Sequence, residues 1–338
     1  MRYKIVYDII STLEDTFFEQ AWASIFSLKY YNPSAHVVLL TDQATKDTIY
    51  SESRKNSLEL IDEIIVVSFN ADFSNKEKSR WIKTSMRQLI KGDFLFIDAD
   101  TIITDSLDRN GDLTDNVKGV IGATLDNHCH SSEMCDTFIF KEMYTKRLST
   151  IFGITLNRNT DVFNSGVLFV RDVAESYKFF EKWHDNWLTA LRKGICLDQL
   201  SLVKTCQELN NPITALSGEY NCQIRSSIKY LSNAIIVHTF SHQKGANLSP
   251  IFDDKLFLEI KTHNGLTEHV QQILVNCKES FYPQTFIVGK EWLDIKFTPT
   301  FALLYKVCTS KGRAYSVVKS FMNFVSRSID FILRQFHL

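Results

Sequence analysis

Apolar residues along the chain fall into short unbroken runs, separated by longer stretches in which they recur every three or four positions. The runs KIVYDII (4–10), HVVLLTD (36–42), DEIIVVSF (62–69), DFLFID (93–98), VKGVIGAT (117–124), VFNSGVLFV (162–170) and AIIVHTF (234–240) have the β-branched and aromatic content of strands. Helical patterns lie between the first four. Residues 16–32 set Phe18, Ala21, Trp22, Ile25 and Phe26 at helical spacing and end at Asn32-Pro33; residues 76–92 repeat the pattern and stop at Gly92. Strands alternating with helices predict an α/β fold, a mostly parallel sheet covered on both faces. In such sheets ligands gather at the carboxyl ends of the strands.

After Asn211-Pro212 and the run at 234–240, residues 241–250 read as a loop and the chain changes character. The expected division is a main domain over 1–250 and a C-terminal helical region over 251–338. Within the latter, apolar residues at 315, 318, 322, 325, 329, 332 and 336 form one helix face. Val317, Phe321, Phe324 and Phe331 widen it to roughly 200° on an ideal helix. Lys319, Arg327 and Arg334 lie opposite, and residues 303–338 hold six Lys or Arg against one Asp. Such a helix fits the plane of an anionic membrane surface; packing on the main domain or in a homodimer is the alternative.

Composition narrows the picture only a little. With 44% hydrophobic and 23% charged residues the chain is globular rather than disordered, and a formal net charge of −1 names no partner and gives no general nucleic-acid-binding surface. The N-terminus reaches Asp8 before any apolar segment long enough for a secretory signal, and no stretch offers about 18 uninterrupted apolar residues. Seven scattered cysteines suit reduced thiols better than a disulfide framework. These features lead to the expectation of a cytoplasmic protein.

The chemistry concentrates in FLFIDADTII (94–103), where two aspartates interrupt an apolar run. A strand over 94–97 would deliver Asp98 to the cleft rim, and alternation would put Asp98 and Asp100 on one side with Ala99 on the other. Two carboxylates so close both ionise only if a cation offsets their repulsion or water screens it. Mg²⁺ or Mn²⁺ does this with oxygen ligands while leaving positions open for phosphate oxygens. A helix cap or a solvated turn is the alternative.

GDFLFIDADTII resembles the D-x-D strand of nucleotide-sugar glycosyltransferases with the GT-A (Rossmann-like) fold. The order of the later motifs resembles retaining family 8, the lipopolysaccharide galactosyltransferase and glycogenin type, over roughly residues 1–245. The resemblance implies transfer of a hexose from a UDP-sugar to a glycan or lipid-linked saccharide acceptor. It implies that Asp98 and Asp100 coordinate Mn²⁺ (or Mg²⁺) bridging the donor diphosphate, with His238 of AIIVHTF as third ligand. Asn164 of FNSGVLFV and Asp198 of LDQLSL would bind the donor sugar, with Gln199 near its anomeric carbon. Arg80 or Lys83 would meet the nucleotide or its phosphates, Tyr7 and Asp8 the nucleoside edge, and Lys244 the diphosphate. The histidine segment departs from the family pattern, since Ser241 replaces a glycine and Gly245-Ala246 replaces Pro-Trp.

Taken without the resemblance, other readings remain. Asp198 reads as a helix N-cap, Lys244 as a solvated loop lysine, Arg80 and Lys83 as a solvated helix face, and His238 as a core histidine. His128, Cys129, His130 and Cys135 suggest zinc, but their spacing fits no common finger, so a loop over the acceptor is preferred. A nucleotidyltransferase would be expected to carry a Gly-rich basic loop after the first strand, and STLEDTFFEQ lacks one. A non-catalytic sugar-binding protein of the same fold is the other alternative.

Overall fold

The computed structural model describes residues 1–69, 72–135, 140–156, 160–224, 226, 229–239 and 254–279, and residues 298–301, 303, 316–318, 320, 321 and 323–325. The main sheet contains β1 (Lys4–Asp8), β2 (Val37–Thr41), β3 (Glu63–Val66), β4 (Phe94–Ile97), β6 (Ile121–Leu125), β7 (Phe163–Val170) and β8 (Ile213–Leu216). Their order is β3-β2-β1-β4-β7-β6-β8, and β7 alone runs against its neighbours. A smaller sheet joins β5 (Thr101–Ile103), β10 (Ile236–His238) and β9 (Cys222–Gln223), with β10 in the middle. The longer helices are α1 (Phe17–Tyr31), α2 (Gln43–Ile49), α3 (Asn75–Leu89), α4 (Ala174–Arg192), α5 (Asp198–Glu208), α6 (Asp254–His263) and α7 (Glu268–Val275). The architecture is the mixed, mostly parallel sheet flanked by helices that the alternation predicts.

The period of two decides which helices cover which face. Ile5, Tyr7, Val37, Leu39, Leu95 and Ile97 share a core with Phe18 and Trp22 of α1. Val6, Val38, Leu40, Phe94 and Phe96 share the other with Ile82 and Met86 of α3 and Phe179 and Trp183 of α4. Phe94 and Phe96 are fully buried, and burial of each side chain contributes about 1.5–3 kcal/mol. Leu256, Phe257, Ile260, Val270 and Leu274, from the region beyond 250, belong to the same core as α1. Tyr31 Oη of α1 also donates to Val275 O at 2.8 Å, so the region beyond 250 is tied to α1.

Two local devices position the cleft. At the start of α3, Ser74 and Glu77 form a reciprocal capping box that satisfies two otherwise open N–H groups. At its far end Gly92, with φ of +85°, makes the left-handed turn into β4 that a side chain would disfavour. Helix α4 has no counterpart among the expected elements. Its signal was present in Phe179, Phe180, Trp183, Trp187 and Ala190, all buried at spacings of one, three and four.

Arg54 and Glu19 form a fully buried pair, with Nε–Oε1 at 2.8 Å and Nη2–Oε2 at 3.1 Å. Arg54 Nη2 also donates to Thr12 O at 2.8 Å and so anchors the loop that follows β1. Arg54→Ala would leave Glu19 charged and buried. The expected cost is about 3–5 kcal/mol in urea unfolding, and a loss below about 1 kcal/mol would show that the pair is not closed off from water.

Candidate active site

Helix α3 turns Ser79, Arg80 and Lys83 toward the carboxyl ends of β1 and β4. Lys83 Nζ lies 2.8 and 3.1 Å from the two oxygens of Asp98 and 3.6 Å from Asp198 Oδ2. Its stem is buried, and the ammonium sits 5.0 Å from the centre of the Phe96 ring. Arg80 Nε stands 3.0 Å from Asp198 Oδ1, close enough for an ion pair though not aligned as a hydrogen bond. Ser79 Oγ donates to Asp8 Oδ2 at 2.8 Å, and Ser165 Oγ donates to Asp198 Oδ2 at 2.8 Å.

These contacts set the charge states. Burial pushes the Asp8 carboxyl up to about 6 against the pull of Lys83, with the neighbouring Asp98 charge adding to the rise. Burial would also raise Asp198, but Lys83, Arg80 and the Ser165 hydroxyl outweigh it and hold the carboxyl at about 2. For Lys83, burial favours the neutral amine, and the Asp98 and Asp198 carboxylates reverse that preference and keep it charged.

Strand β4 ends at Ile97, Asp98-Ala99-Asp100 forms a turn, and β5 begins at Thr101 in the other sheet. The two aspartates therefore occupy the corner between sheets rather than one continuous strand. Because β10 pairs with β5 in the register His238↔Thr101, His238 arrives beside them. Its Nε2 is 3.2 Å from Asp100 Oδ1, and one ligand atom from each of Asp98, Asp100 and His238 lies within 4.8 Å of the others. His238 Nδ1 is 3.0 Å from Asn221 Oδ1.

The donor set fits a hard divalent cation. Four carboxylates (Asp8, Asp98, Asp100, Asp198) face two fixed cations (Arg80, Lys83), leaving two negative charges in a poorly solvated corner. His238 Nδ1 is engaged with Asn221, so Nε2 is the ring nitrogen that faces the Asp100 carboxylate and the one a cation held between them would use. Two carboxylates with one imidazole suit Mn²⁺ better than Mg²⁺. Gly166 closes the site from β7: a Cβ there would fall 2.5 Å from His238 Cε1 and 2.9 Å from Asp98 Oδ2.

The remaining expected residues divide. Asn164 lies on β7 beside the corner, its Oδ1 accepting from Gly166 N and from Asn221 Nδ2, each at 2.9 Å. Gln199 is committed to β7, donating to Phe163 O and accepting from Ser165 N at 3.3 Å. Asp198 is the first residue of α5 and not its cap, a position that Leu197 takes. Tyr7 does not reach the rim: alternation after Asp8 turns it into the core, where it is fully buried and its hydroxyl is 3.1 Å from Ser24 Oγ. Lys244 lies outside the described residues.

The zinc reading does not form a cluster. His128 Nε2 accepts from Gln223 N at 2.9 Å, His130 Nδ1 faces Asp161 at 3.0 Å, and the Asp98–Asp100–His238 set is the metal-capable group among the described residues. Residues that the sequence did not single out also meet here: Ser79, Ser165 and Asn221. Ser79 shares a helix face with Lys83, four positions on, which was a readable signal. Asn221, in a short helical turn before β9, carries none.

Comparison with known proteins places other chains beside this geometry. The sequence matches no protein-family profile and no curated protein. Among solved structures, mouse xyloside xylosyltransferase 1 is similar at 13% identity and a TM-score of 0.47, over 70% of this chain and 97% of that one. The galactosyltransferase LgtC, in complex with donor and acceptor sugar analogs, is similar at 13% identity and 0.48, over 80% and 99%. The glycosyltransferase GlyE of Streptococcus pneumoniae TIGR4 is similar at 14% and 0.45, over 85% and 67%.

Gly166→Ala tests the corner directly. The added methyl must displace His238 or Asp98, so Mn²⁺ affinity measured by calorimetry should fall at least about tenfold while the circular dichroism stays native. An unchanged affinity would mean that the three ligand groups do not converge over β7.

Proposed function

We propose that the protein is a metal-dependent glycosyltransferase of the GT-A fold that transfers a hexose from a UDP-sugar to a glycan or lipid-linked saccharide, with retention of anomeric configuration. The observation that carries this reading is the convergence of Asp98, Asp100 and His238 at the carboxyl edge of the sheet, beside Lys83, Arg80 and Asp198. A dinucleotide-type fold places a diphosphate at this edge, and the D-x-D, F-N-x-G-V and D-Q motifs supply groups for the rest of the donor.

Asp98, Asp100 and His238 would hold Mn²⁺, which when bound supplies Lewis-acid stabilisation of the departing diphosphate. Lys83 holds Asp98 through both carboxylate oxygens and would keep it in place for the ion. Arg80 and Lys83 hold Asp198 ionised, as an acceptor for sugar hydroxyls. The F-N-x-G-V resemblance assigns Asn164 to the same sugar. Lys244 would add positive charge to the leaving diphosphate. Retention follows when the acceptor hydroxyl enters on the face that the phosphate leaves, the phosphate taking its proton. Gln199 is a poor nucleophile by intrinsic reactivity, and its amide is already bonded at both ends to β7.

UDP release from a panel of UDP-sugars, with and without Mn²⁺, tests the reading. Wild type should turn over only with metal, and Asp100→Ala should lose about 10²–10³-fold in kcat/KM, the equivalent of several kcal/mol of charge stabilisation. Metal-independent turnover, an undiminished Asp100→Ala enzyme, or sugar binding without turnover would each reject it.

The acceptor reading extends to the C-terminal region. No described helix is long and apolar enough to cross a membrane. Val317, Phe321 and Phe324 are exposed at helical spacing, which supports an in-plane contact with an anionic, cytoplasmic membrane face near a lipid-linked acceptor. Phe321→Glu with Phe324→Glu should abolish sedimentation with anionic vesicles and leave UDP-sugar hydrolysis intact. Equal sedimentation of variant and wild type would remove the membrane contact.

A further inference from the structure

Five aromatic side chains close a ring where α3 packs on α4. Phe69 and Phe73 come from the loop between β3 and α3, Trp81 from α3, and His184 and Trp187 from α4. Neighbouring ring centres are 6.3 Å apart for Phe69–Phe73, 6.4 Å for Phe73–Trp187, 5.7 Å for Trp187–His184, 5.2 Å for His184–Trp81 and 5.4 Å for Trp81–Phe69. Each ring thus meets two others, mostly edge to face, the arrangement that aromatic quadrupoles favour. Trp187 is fully buried, while the other four are partly open to water.

The start of α3 does not account for Phe73. It precedes the Ser74 cap, a place from which an apolar residue often packs on the fourth residue of the helix. That residue is Lys78, whose ammonium goes to Asp42 Oδ2 at 2.9 Å and lies 5.7 Å from the centre of the Phe69 ring. Phe73 meets Trp187 of another helix instead. A half-buried phenylalanine held on two sides by aromatic neighbours is a preorganised apolar surface.

The tryptophans of α4 tie this surface to the donor side of the cleft. Trp187 Nε1 donates to Cys196 O at 3.2 Å, and Trp183 Nε1, one turn earlier, donates to Asp198 O at 3.2 Å. The ring is therefore anchored two residues from Asp198. Burial raises the Cys196 thiol against the pull of Lys76 and Arg80, so the first turns of α3 approach the same segment. Lys76 shares a helix face with Arg80 and Lys83, at spacings of four and seven. It is exposed and makes no ion pair or hydrogen bond among the described residues.

We propose that this surface is the subsite for a sugar ring of the acceptor, with the sugar's apolar face on Phe73 and one of its oxygens on Lys76. The proposal rests on the glycosyltransferase reading. In that reading Asp198 and Asn164 take the donor sugar, so a second saccharide must enter beside them, and the ring stands next to Asp198. A pyranose has the matching chemistry: a face of C–H groups suits an aromatic ring, and the hydroxyls around its edge suit a cation at the rim. A hydrocarbon chain would leave Lys76 without a partner.

Saturation-transfer nuclear magnetic resonance on the full chain, without donor or metal, measures binding of methyl β-galactopyranoside, methyl β-glucopyranoside and methyl α-mannopyranoside. At least one should bind wild type. Phe73→Ala should weaken that binding about 3–10-fold, the equivalent of one lost aromatic contact, while circular dichroism stays native. Phe73→Trp should restore it, and Lys76→Met, which disturbs no packed side chain, should weaken it by a smaller factor. Failure of all these glycosides to bind wild type, or equal binding by wild type, Phe73→Ala and Lys76→Met, overturns the proposal. So does a wild-type dimer that Phe73→Ala breaks in sedimentation, which would assign the surface to a second copy of the chain. Because donor and metal are absent, these results stand apart from the UDP-release test of the glycosyltransferase reading.

Discussion

Lys83 is the charge around which the site is organised. Its ammonium is buried among carboxylates at the sheet's carboxyl edge, where an unpaired ion of either sign would cost several kcal/mol. Asp98 and Asp198 come from distant parts of the chain, one after β4 and the other opening α5, and each lies within 4 Å of the same nitrogen. The cation resolves part of their repulsion. Helix α3 must therefore keep its rotation about its axis to within a fraction of a turn, and its capping box and the Phe96 ring beneath Lys83 serve that purpose.

The corner between the two sheets does the rest. In a continuous strand Asp98 and Asp100 would point to one face of the main sheet, but here the chain leaves one sheet after Ile97 and enters another at Thr101. Pairing of β10 with β5 then brings a histidine from 138 residues later in the chain to the same point, as the span from Asp100 to His238 shows. Antiparallel β7 runs past both, and the lack of a side chain at Gly166 makes room for ligand groups from each. Strands β4, β5, β7 and β10, which lead into or carry these groups, are all paired by backbone hydrogen bonds.

Residues outside the Asp98–Asp100–His238 set still take part in the corner. Asn221 and Asn164 have polar ends whose direction is set by one backbone N–H, that of Gly166, and that direction passes to His238. Such networks have value only when every member is satisfied. This is why an asparagine without any local motif matters as much to the geometry as the aspartates.

Much was readable from the chain alone. The unbroken apolar runs of β1, β2 and β4, the period of 3.6 in α1 and α3, and Gly92 as punctuation follow from backbone geometry and burial, which act over a few residues. So does the position of Asp98 one residue past a four-residue apolar strand. Tyr7 shows the limit: being next to Asp8 suggested a shared role, and alternation turned the two to opposite faces. That β5 would leave its sheet, that β7 would run antiparallel, that Asn221 would meet His238 and that Lys83 would pair with both Asp98 and Asp198 depended on contacts between residues 15 to 138 positions apart. The sequence by itself determined which groups were available and which strand end would present them. Only the tertiary structure decided how charge and hydrogen-bond direction were shared among them, because both depend on distance in space and not on separation along the chain.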